Sequence, residues 1–336
     1  MKPNSVTAEL LKRMLPMLLL SGALGVGAGF AAARGLPQTA KPRTPAESLG
    51  TLSYVGNYES GTYKPWDNLQ VDPRAPASDG FQVVTNPVRQ GRFAAKFTVR
   101  QAFSPYGWKE SAEVSHEFDD QTEGSDYYYG LSVMLPASTV QPHGWFTIEQ
   151  WYTQDFTVPY FQGPAPIALD AGSNAIRLNV LTGRSTNISW GYHLADRVLD
   201  KGPVYDGRWR DFILHIRWSK ADGILQVWER KQGSAAWKQL LSLTRIPTLR
   251  YNPAYNNGAA DSIGLVKQGA YRDSYCKADS AGNIFGPDGA HTPGSCYYGA
   301  TGSQPDTVIY DDGFARGSKF GIVARALGRP LLGKKR

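Results

Sequence analysis

The chain has 336 residues, of which 36 are glycine, 22 proline, 18 tyrosine and 9 tryptophan, and only 19% are charged. These turn-forming and strand-forming residues predict a β fold rather than a helical one, and the length allows one large domain or two ordinary ones. The net charge of +7 favours an anionic partner, such as nucleic acid, anionic lipid or an acidic polysaccharide.

The N-terminus has the pattern of an export signal. Lys12 and Arg13 precede an apolar run from Met14 to Phe30, which small residues follow. An early proline, and a length close to the roughly 20 residues that span a bilayer, make a retained membrane anchor the alternative to a cleaved signal. We expect residues 1–34 to be one of the two, and the body of the protein to be secreted or periplasmic.

Residues 35–50 have no hydrophobic period and are predicted to be a linker. Beyond them, short runs of strand-forming residues alternate with turn signals, and no window shows a helical apolar stripe. Strands are predicted over residues 81–85, 92–100, 111–118, 127–136, 145–152, 175–183, 211–219, 223–231, 263–275 and 306–317. Many short strands without crossover helices predict one antiparallel β-jelly-roll sandwich of two curved sheets over residues 51–325, followed by a basic tail over 326–336.

The only two cysteines are Cys276 and Cys296. The segment between them has no apolar periodicity and could not bury two free thiols. In an oxidising compartment we therefore expect them to form a disulfide that closes a glycine-rich loop.

The segment from Ile263 to Tyr275 is the first candidate for a functional site. In a strand, Lys267 and Tyr271 share a face with only Gly269 between them. Glycine lets another group approach the backbone closely, and a cation beside a phenol lowers a pKa that is ordinarily about 10. This pattern predicts a tyrosine that moves protons.

Two other predicted strands carry polar positions. Over residues 145–152, Gln150 and Tyr152 are predicted to share a face with Ile148, and the polar pair either hydrogen-bonds a sugar or packs within the sheet. Over residues 111–118, Glu113 belongs to a wholly polar face. A solvated outer surface accounts for that face, unless it points into a binding groove and offers Glu113 to a ligand.

The order and spacing of five segments resemble the heparin-lyase-like polysaccharide lyases of secreted bacterial proteins, a jelly-roll family distantly similar to the alginate lyases. The resemblance covers roughly residues 54–323. The segments are YYYGLSVMLP, WFTIEQWY, the run from Gly207 to Lys231, IGLVKQGAYRDSY and VIYDDGFARG.

The resemblance implies β-elimination on a uronic-acid-containing polysaccharide. Such a reaction neutralises the uronate carboxylate, removes the C5 proton and protonates the glycosidic oxygen. Gln150 matches the glutamine of the family's Q-I-H motif, which would hold the carboxylate. Lys267 and Tyr271 match the lysine and catalytic tyrosine of K-A-G-x-Y, so Tyr271 is the expected proton carrier.

No redox metal or nucleotide cofactor is implied by this chemistry. A structural calcium ion is left open, although the acidic residues around Asp119 and Asp311 lack the spacing of a calcium-binding loop.

The chain departs from the family pattern at two places. Tyr152 stands where a histidine is common, and Ser111 and Ser115 stand where the alginate lyases have arginines on either side of Glu113. Either Tyr271 is both acid and base, with or without Tyr152, or the chain binds sugar without cleaving it. A glycoside hydrolase of related fold is the third hypothesis, disfavoured because no E-x-D-x-E strand supplies paired carboxylates.

Aromatic and basic residues near these motifs are further candidates for binding the polymer. Trp108 and Trp190, which have glycine neighbours, are candidates to stack on sugar rings. Lys109 and Arg272 flank the motifs and are candidates to pair with carboxylates. No compact basic cluster with stacking aromatics appears, so we expect no nucleic-acid partner, and we expect a monomer.

Overall fold

A computed structural model describes residues 50–73, 76–100, 110–142, 144–153, 165–172, 174–184, 193–254, 256–273, 277–278, 284–285 and 305–328. Ser48–Arg336 is one compact unit. The predicted export signal, both cysteines, Trp108, Lys109, Trp190 and most of the basic tail lie outside the described residues.

The strands in the first half of the chain are β1 (Leu52–Gly56), β2 (Asn68–Gln70), β3 (Phe81–Val84), β4 (Ala94–Val99), β5 (Glu110–Glu117), β6 (Asp126–Met134), β7 (Phe146–Thr153) and β8 (Ile167–Ala171). They continue with β9 (Ala175–Leu181), β10 (Gly183–Arg184), β11 (His193–Lys201), β12 (Trp209–Arg217), β13 (Gly223–Lys231) and β14 (Lys238–Ile246). The last strands are β15 (Arg250–Tyr251), β16 (Ile263–Arg272), β17 (Lys277–Ala278), β18 (Ile284–Phe285), β19 (Thr307–Asp311) and β20 (Phe314–Gly317). The helices are α1 (Ala77–Gly80), a 3₁₀ turn (Asn256–Gly258) and α2 (Phe320–Ala326).

Within the described part of the chain, the strands form two large antiparallel sheets. Seven strands of one sheet run in the order β14-β13-β12-β6-β19-β4-β3. Two more, β20, which pairs with β6, and β1, which pairs with β20, complete its nine. The other sheet has seven strands, in the order β11-β9-β8-β7-β16-β5-β2. Two stacked antiparallel sheets of this kind form a β-jelly-roll sandwich, so the predicted fold is confirmed.

The hydrophobic core lies between the two sheets. Val114, Trp151 and Val266 of the seven-stranded sheet pack in one cluster with Phe97 and Leu214 of the nine-stranded sheet. Because side chains alternate along a strand, the residues between these apolar positions face away from the core. Polar residues at these alternate positions, among them Glu113, Gln150 and Lys267, are thereby directed to the outer face of the seven-stranded sheet.

Helix α2 covers part of the outer face of the nine-stranded sheet. Val323 and Leu327 pack there with Ile213 and Ala315. The helix lies close to Gly130 of β6, where an added Cβ would be 2.5 Å from Val323 Cγ1. Among the residues described, none of the helices has the length and apolar character that crossing a membrane requires.

Candidate functional site

Strand β16 lies inside the seven-stranded sheet, between β7 and β5, and is antiparallel to both. Lys267 is directly opposite Gln150 on β7 and Ser115 on β5. Residues directly opposite each other in a sheet share a face. The topology therefore brings Lys267 and Gln150 together on a surface that we call the polar face, made of Ser111, Glu113, Ser115, Gln150, Lys267 and Tyr271.

Gln150 and Glu113 are in contact on the polar face. The amide nitrogen Nε2 of Gln150 donates a hydrogen bond to Glu113 Oε1, and both side chains are only 2% exposed. Glu113 lies opposite Gly269 in the register. The bond therefore crosses the strand that carries Lys267, and the carboxylate sets the orientation of the amide.

The polar side of β5 is buried rather than solvated. Ser111 and Ser115 are fully buried, which contradicts the expectation of a solvated surface. Their hydroxyls and Glu113 Oε2 have no hydrogen-bond partner among the described residues. Since buried polar groups are nearly always paired in folded proteins, this side of the strand has unused capacity to bind a polar ligand.

Lys267 supplies a positive charge at the centre of the polar face. Its Nζ donates a hydrogen bond to Gln70 Oε1 of β2 at 3.1 Å and lies 5.4 Å from the centroid of the Tyr152 ring. A cation over an aromatic face is attracted to the ring quadrupole. These contacts hold the ammonium group between β2 and β7.

Tyr271 is half-buried at one end of the polar face, opposite Ser111 and Thr147. Its ring packs edge-on against Trp145, with centroids 4.4 Å apart. The main chain of Trp145 is in turn held by Asp273, whose N–H donates to Trp145 O at 3.1 Å. The orientation of the Tyr271 phenol therefore depends on Trp145, the residue that immediately precedes β7.

Gly269 adopts a φ of +133° where the register between β16 and β7 shifts. A Cβ added here would lie 2.5 Å from Ala112 O and 2.9 Å from Glu113 Cα. The group that approaches the backbone of Gly269 is therefore strand β5, and the glycine is required by sheet geometry rather than by a ligand.

Tyr152 occupies the position at which the resemblance led us to expect a histidine. Burial raises the pKa of Tyr152, and the nearby Arg250 guanidinium offsets part of that rise. A phenol with a raised pKa keeps its proton at neutral pH and acts as a hydrogen-bond donor. Arg250 itself is almost fully buried and donates from Nε to Leu181 O at 2.8 Å.

Two positions differ from the sequence prediction. A bulge between Thr147 and Glu149 turns Ile148 into the core, so it does not share the face of Gln150. Arg272 is fully buried on the core side of β16, where it donates to Glu110 Oε2 at 2.8 Å and to Thr307 Oγ1 at 2.7 Å. It links the two sheets, and we leave it out of the proposed site.

The histidines whose side chains are described lie away from Lys267 and Gln150. His116 is on the opposite side of β5, where its Nδ1 is 2.8 Å from Asp67 Oδ2. His215 is in the nine-stranded sheet, with Nε2 2.6 Å from Asp126 Oδ1. Among the residues that the structure describes, no three His, Cys, Asp or Glu side chains are grouped as metal ligands.

A cavity of about 730 Å³ lies beside the Tyr271 end of the polar face. Thr147, opposite Tyr271, is also opposite Asp170 of β8, and Asp170 is opposite Arg177 of β9. The residues that line the cavity include Trp145, Asp170, Arg177, Asn179 and Lys201. The cavity therefore extends the polar face across the next two strands.

Sequence reasoning did not single out the cavity residues Asp170, Arg177, Asn179 and Lys201, although the sequence around two of them contains a signal. In AIRLNVL, Arg177 and Asn179 alternate with apolar residues, which is the pattern of a strand with one polar side. Arg250 carries no comparable signal, because it lies in a two-residue strand.

Comparisons with known proteins agree with this architecture. A family model described as polysaccharide lyase matches residues 58–315. The endo-β-1,4-glucuronan lyase from the fungus Trichoderma reesei shares the fold, with a TM-score of 0.54 and 17% identity over 80% of this chain and 97% of that chain.

Two other solved structures are less similar. They are the catalytic domain of a GH131 β-glucanase from Podospora anserina (TM-score 0.42, 15% identity, 75% of this chain and 84% of that chain) and an alginate lyase from Pseudomonas aeruginosa (TM-score 0.34, 15% identity, 72% and 84%). No curated protein matches the chain.

Proposed function

We propose that this chain, which belongs to the polysaccharide lyase family, cleaves a uronic-acid-containing polysaccharide by β-elimination. The observation that carries the proposal is that Lys267 lies opposite Gln150 and on the same face as Tyr271. A hydrogen-bond donor, a cation and a phenol on one surface are the groups that this reaction requires.

Gln150 and Lys267 are the proposed ligands of the uronate carboxylate. The amide nitrogen of Gln150 carries two hydrogens, and the bond to Glu113 Oε1 uses one of them. The other hydrogen and the Lys267 ammonium group donate to the carboxylate. Loss of the C5 proton places negative charge on that carboxylate, so donors aimed at it stabilise the transition state more than the bound substrate.

Tyr271 is the proposed proton carrier. As a phenolate it accepts the C5 proton, the C4–C5 double bond forms, and the C4–O bond breaks with its electron pair on the glycosidic oxygen. The phenol then returns the proton to that oxygen. Tyr152, which burial keeps protonated, is the proposed hydrogen-bond donor to a sugar hydroxyl or carboxylate.

Glucuronan is the first polymer to test. The Trichoderma reesei endo-β-1,4-glucuronan lyase shares the fold of this chain, and the net charge of +7 favours an acidic polymer. The apolar N-terminal run supports export, so the proposed place of action is outside the cytoplasm.

The test is an assay with glucuronan, alginate and heparin-type polymers. Ultraviolet absorbance from unsaturated uronates should appear with at least one of them. If calorimetry detects binding while no polymer gives this absorbance, the lyase mechanism is wrong and a carbohydrate-binding role replaces it. New reducing ends without the absorbance would instead indicate hydrolysis.

A further inference from the structure

The cavity beside Tyr271 lies on the path of a polymer that crosses the strands of the seven-stranded sheet. Tyr271, Thr147, Asp170 and Arg177 are consecutive neighbours on β16, β7, β8 and β9. With about 4.8 Å between neighbouring strands, Arg177 is about 14 Å from Tyr271. A polysaccharide that occupies the polar face reaches this position within a few sugar residues of the cleaved bond.

The guanidinium group of Arg177 is directed towards the cavity. A Cβ added to Gly172, in the β8–β9 turn, would be 3.8 Å from Arg177 Nε, and both residues line the cavity. Asp170, directly opposite Arg177, accepts a hydrogen bond from Thr147 Oγ1 at 2.6 Å. A guanidinium presents N–H donors in a planar fork that matches the two oxygens of a carboxylate, so Arg177 has the geometry to pair with a uronate that enters the cavity.

The remaining lining residues suit a sugar that carries a charge. Lys201 adds a second cation, and Trp145 supplies an aromatic wall that also contacts Tyr271. Asn179 Oδ1 is buried without a hydrogen-bond partner among the described residues. A cation pair, an amide and an aromatic ring can bind a carboxylate, hydroxyls and a pyranose face in one place.

We propose that this cavity is a distal subsite that binds a second uronate of the same polymer, with Arg177 pairing with its carboxylate. The inference rests on the proposed function, because it assumes a polyuronate on the polar face. It adds that the enzyme requires carboxylates on two separate sugar residues, and so selects polyuronates over chains with a single charged unit.

The test compares Arg177→Gln with the unmodified protein on glucuronan oligomers of increasing length. We expect kcat/KM to fall about tenfold or more for oligomers that reach the cavity, mainly through KM, and to be unchanged for the shortest oligomer cleaved. Lys238→Gln is the matched control, since Lys238 is exposed on β14 of the other sheet. It should leave every length unaffected.

Calorimetry with the same oligomers separates this inference from the proposed function. Even without cleavage, Arg177→Gln should bind long oligouronates about tenfold more weakly, while cello-oligosaccharides, which lack carboxylates, should bind both proteins alike. Thermal unfolding establishes that the variant is folded. An equal effect at every length, or no effect in either assay, would overturn the subsite.

Discussion

Gln150 and Glu113 are hydrogen-bonded to each other although their strands do not pair, because β16 lies between β7 and β5. Because Glu113 Oε1 accepts from Nε2, the contact holds the NH₂ group of Gln150, not its oxygen, on the polar face. The donor that we propose for a uronate carboxylate is thus oriented before substrate binds.

Gln150→Leu should lower kcat/KM by about 10²- to 10³-fold, the range seen when one donor to a developing anion is removed. Glu113→Ala should have a smaller effect, because it frees the amide without deleting it. The double variant should lose little more than Gln150→Leu alone, since the two residues act as one unit. Fully additive losses in this double-mutant cycle would contradict the coupling.

Tyr271→Phe should reduce kcat by about 10²- to 10⁴-fold, the usual contribution of a positioned proton carrier, while calorimetric affinity for the polymer is retained. Only the hydroxyl is removed, so the edge-on contact with Trp145 is preserved. Tyr310→Phe, in β19 of the other sheet, is the control and should cleave normally. A Tyr271→Phe protein of normal activity would remove this residue from the mechanism.

Local periodicity was sufficient to predict part of this site. Strand alternation placed Lys267 and Tyr271 on one face, as observed, because it depends only on neighbouring residues. The same rule puts Arg272 on the opposite face, although its charge and its position beside the motif make it a candidate ligand in the sequence. The contact between Gln150 and Glu113 was not predictable, since it depends on the spatial order of strands that are distant in sequence.

Irregularities and short strands account for the other differences between the strands predicted from the sequence and those observed in the structure. The bulge at Ile148 adds one residue to β7, which no composition signal marks. The strands predicted over residues 211–219 and 223–231 are present as the antiparallel pair of β12 and β13. Among the strands of five or more residues, the sequence does not predict β1, β8, β11 and β14. The strands β1 and β8 have only five residues, and β11 and β14 lie at sheet edges.

Stability should fall as pH rises, because buried carboxyls retain protons in the folded state. Burial raises the pKa of Glu149 and of Asp311, and the charge of Asp311 raises the Glu149 pKa further. Burial also raises the pKa of Asp312 to about 7. In the unfolded chain these groups ionise near pH 4, so the stabilisation is complete below that value. It is lost as the pH rises through each folded-state pKa, which for Asp312 is about 7.

Urea denaturation at pH 5 and pH 8 checks this expectation. The free energy of unfolding should be lower at pH 8, by about 1.4 kcal/mol for each pH unit over which a carboxyl is protonated in the folded protein but ionised in the unfolded chain. Glu149→Gln should reduce the difference between the free energies of unfolding at pH 5 and pH 8. Asp222→Asn, at an exposed position, should leave that difference unchanged. Equal stability at both pH values would mean that the buried carboxyls titrate normally.

Gly269→Ala should destabilise the protein by about 1–3 kcal/mol, since its Cβ would lie 2.5 Å from Ala112 O at a φ of +133°. Gly61→Ala separates the two causes: Gly61 has a φ of +74° and nothing within 4 Å of an added Cβ, so it should show the backbone strain alone. Chemical denaturation of both variants gives the comparison. Equal losses of stability in the two variants would mean that β5 shifts to accommodate the added methyl group without a free-energy penalty.

The interior position of β16 determines when the polar face is lost as the protein opens. Its amide groups are bonded to strands on both sides, and amides in the middle of a sheet exchange their hydrogens only in the rarest, most extensive openings. The strand that carries Lys267 and Tyr271 should thus be among the last to exchange with deuterated solvent. On heating, the side chains of the polar face should remain in register until the whole sandwich unfolds.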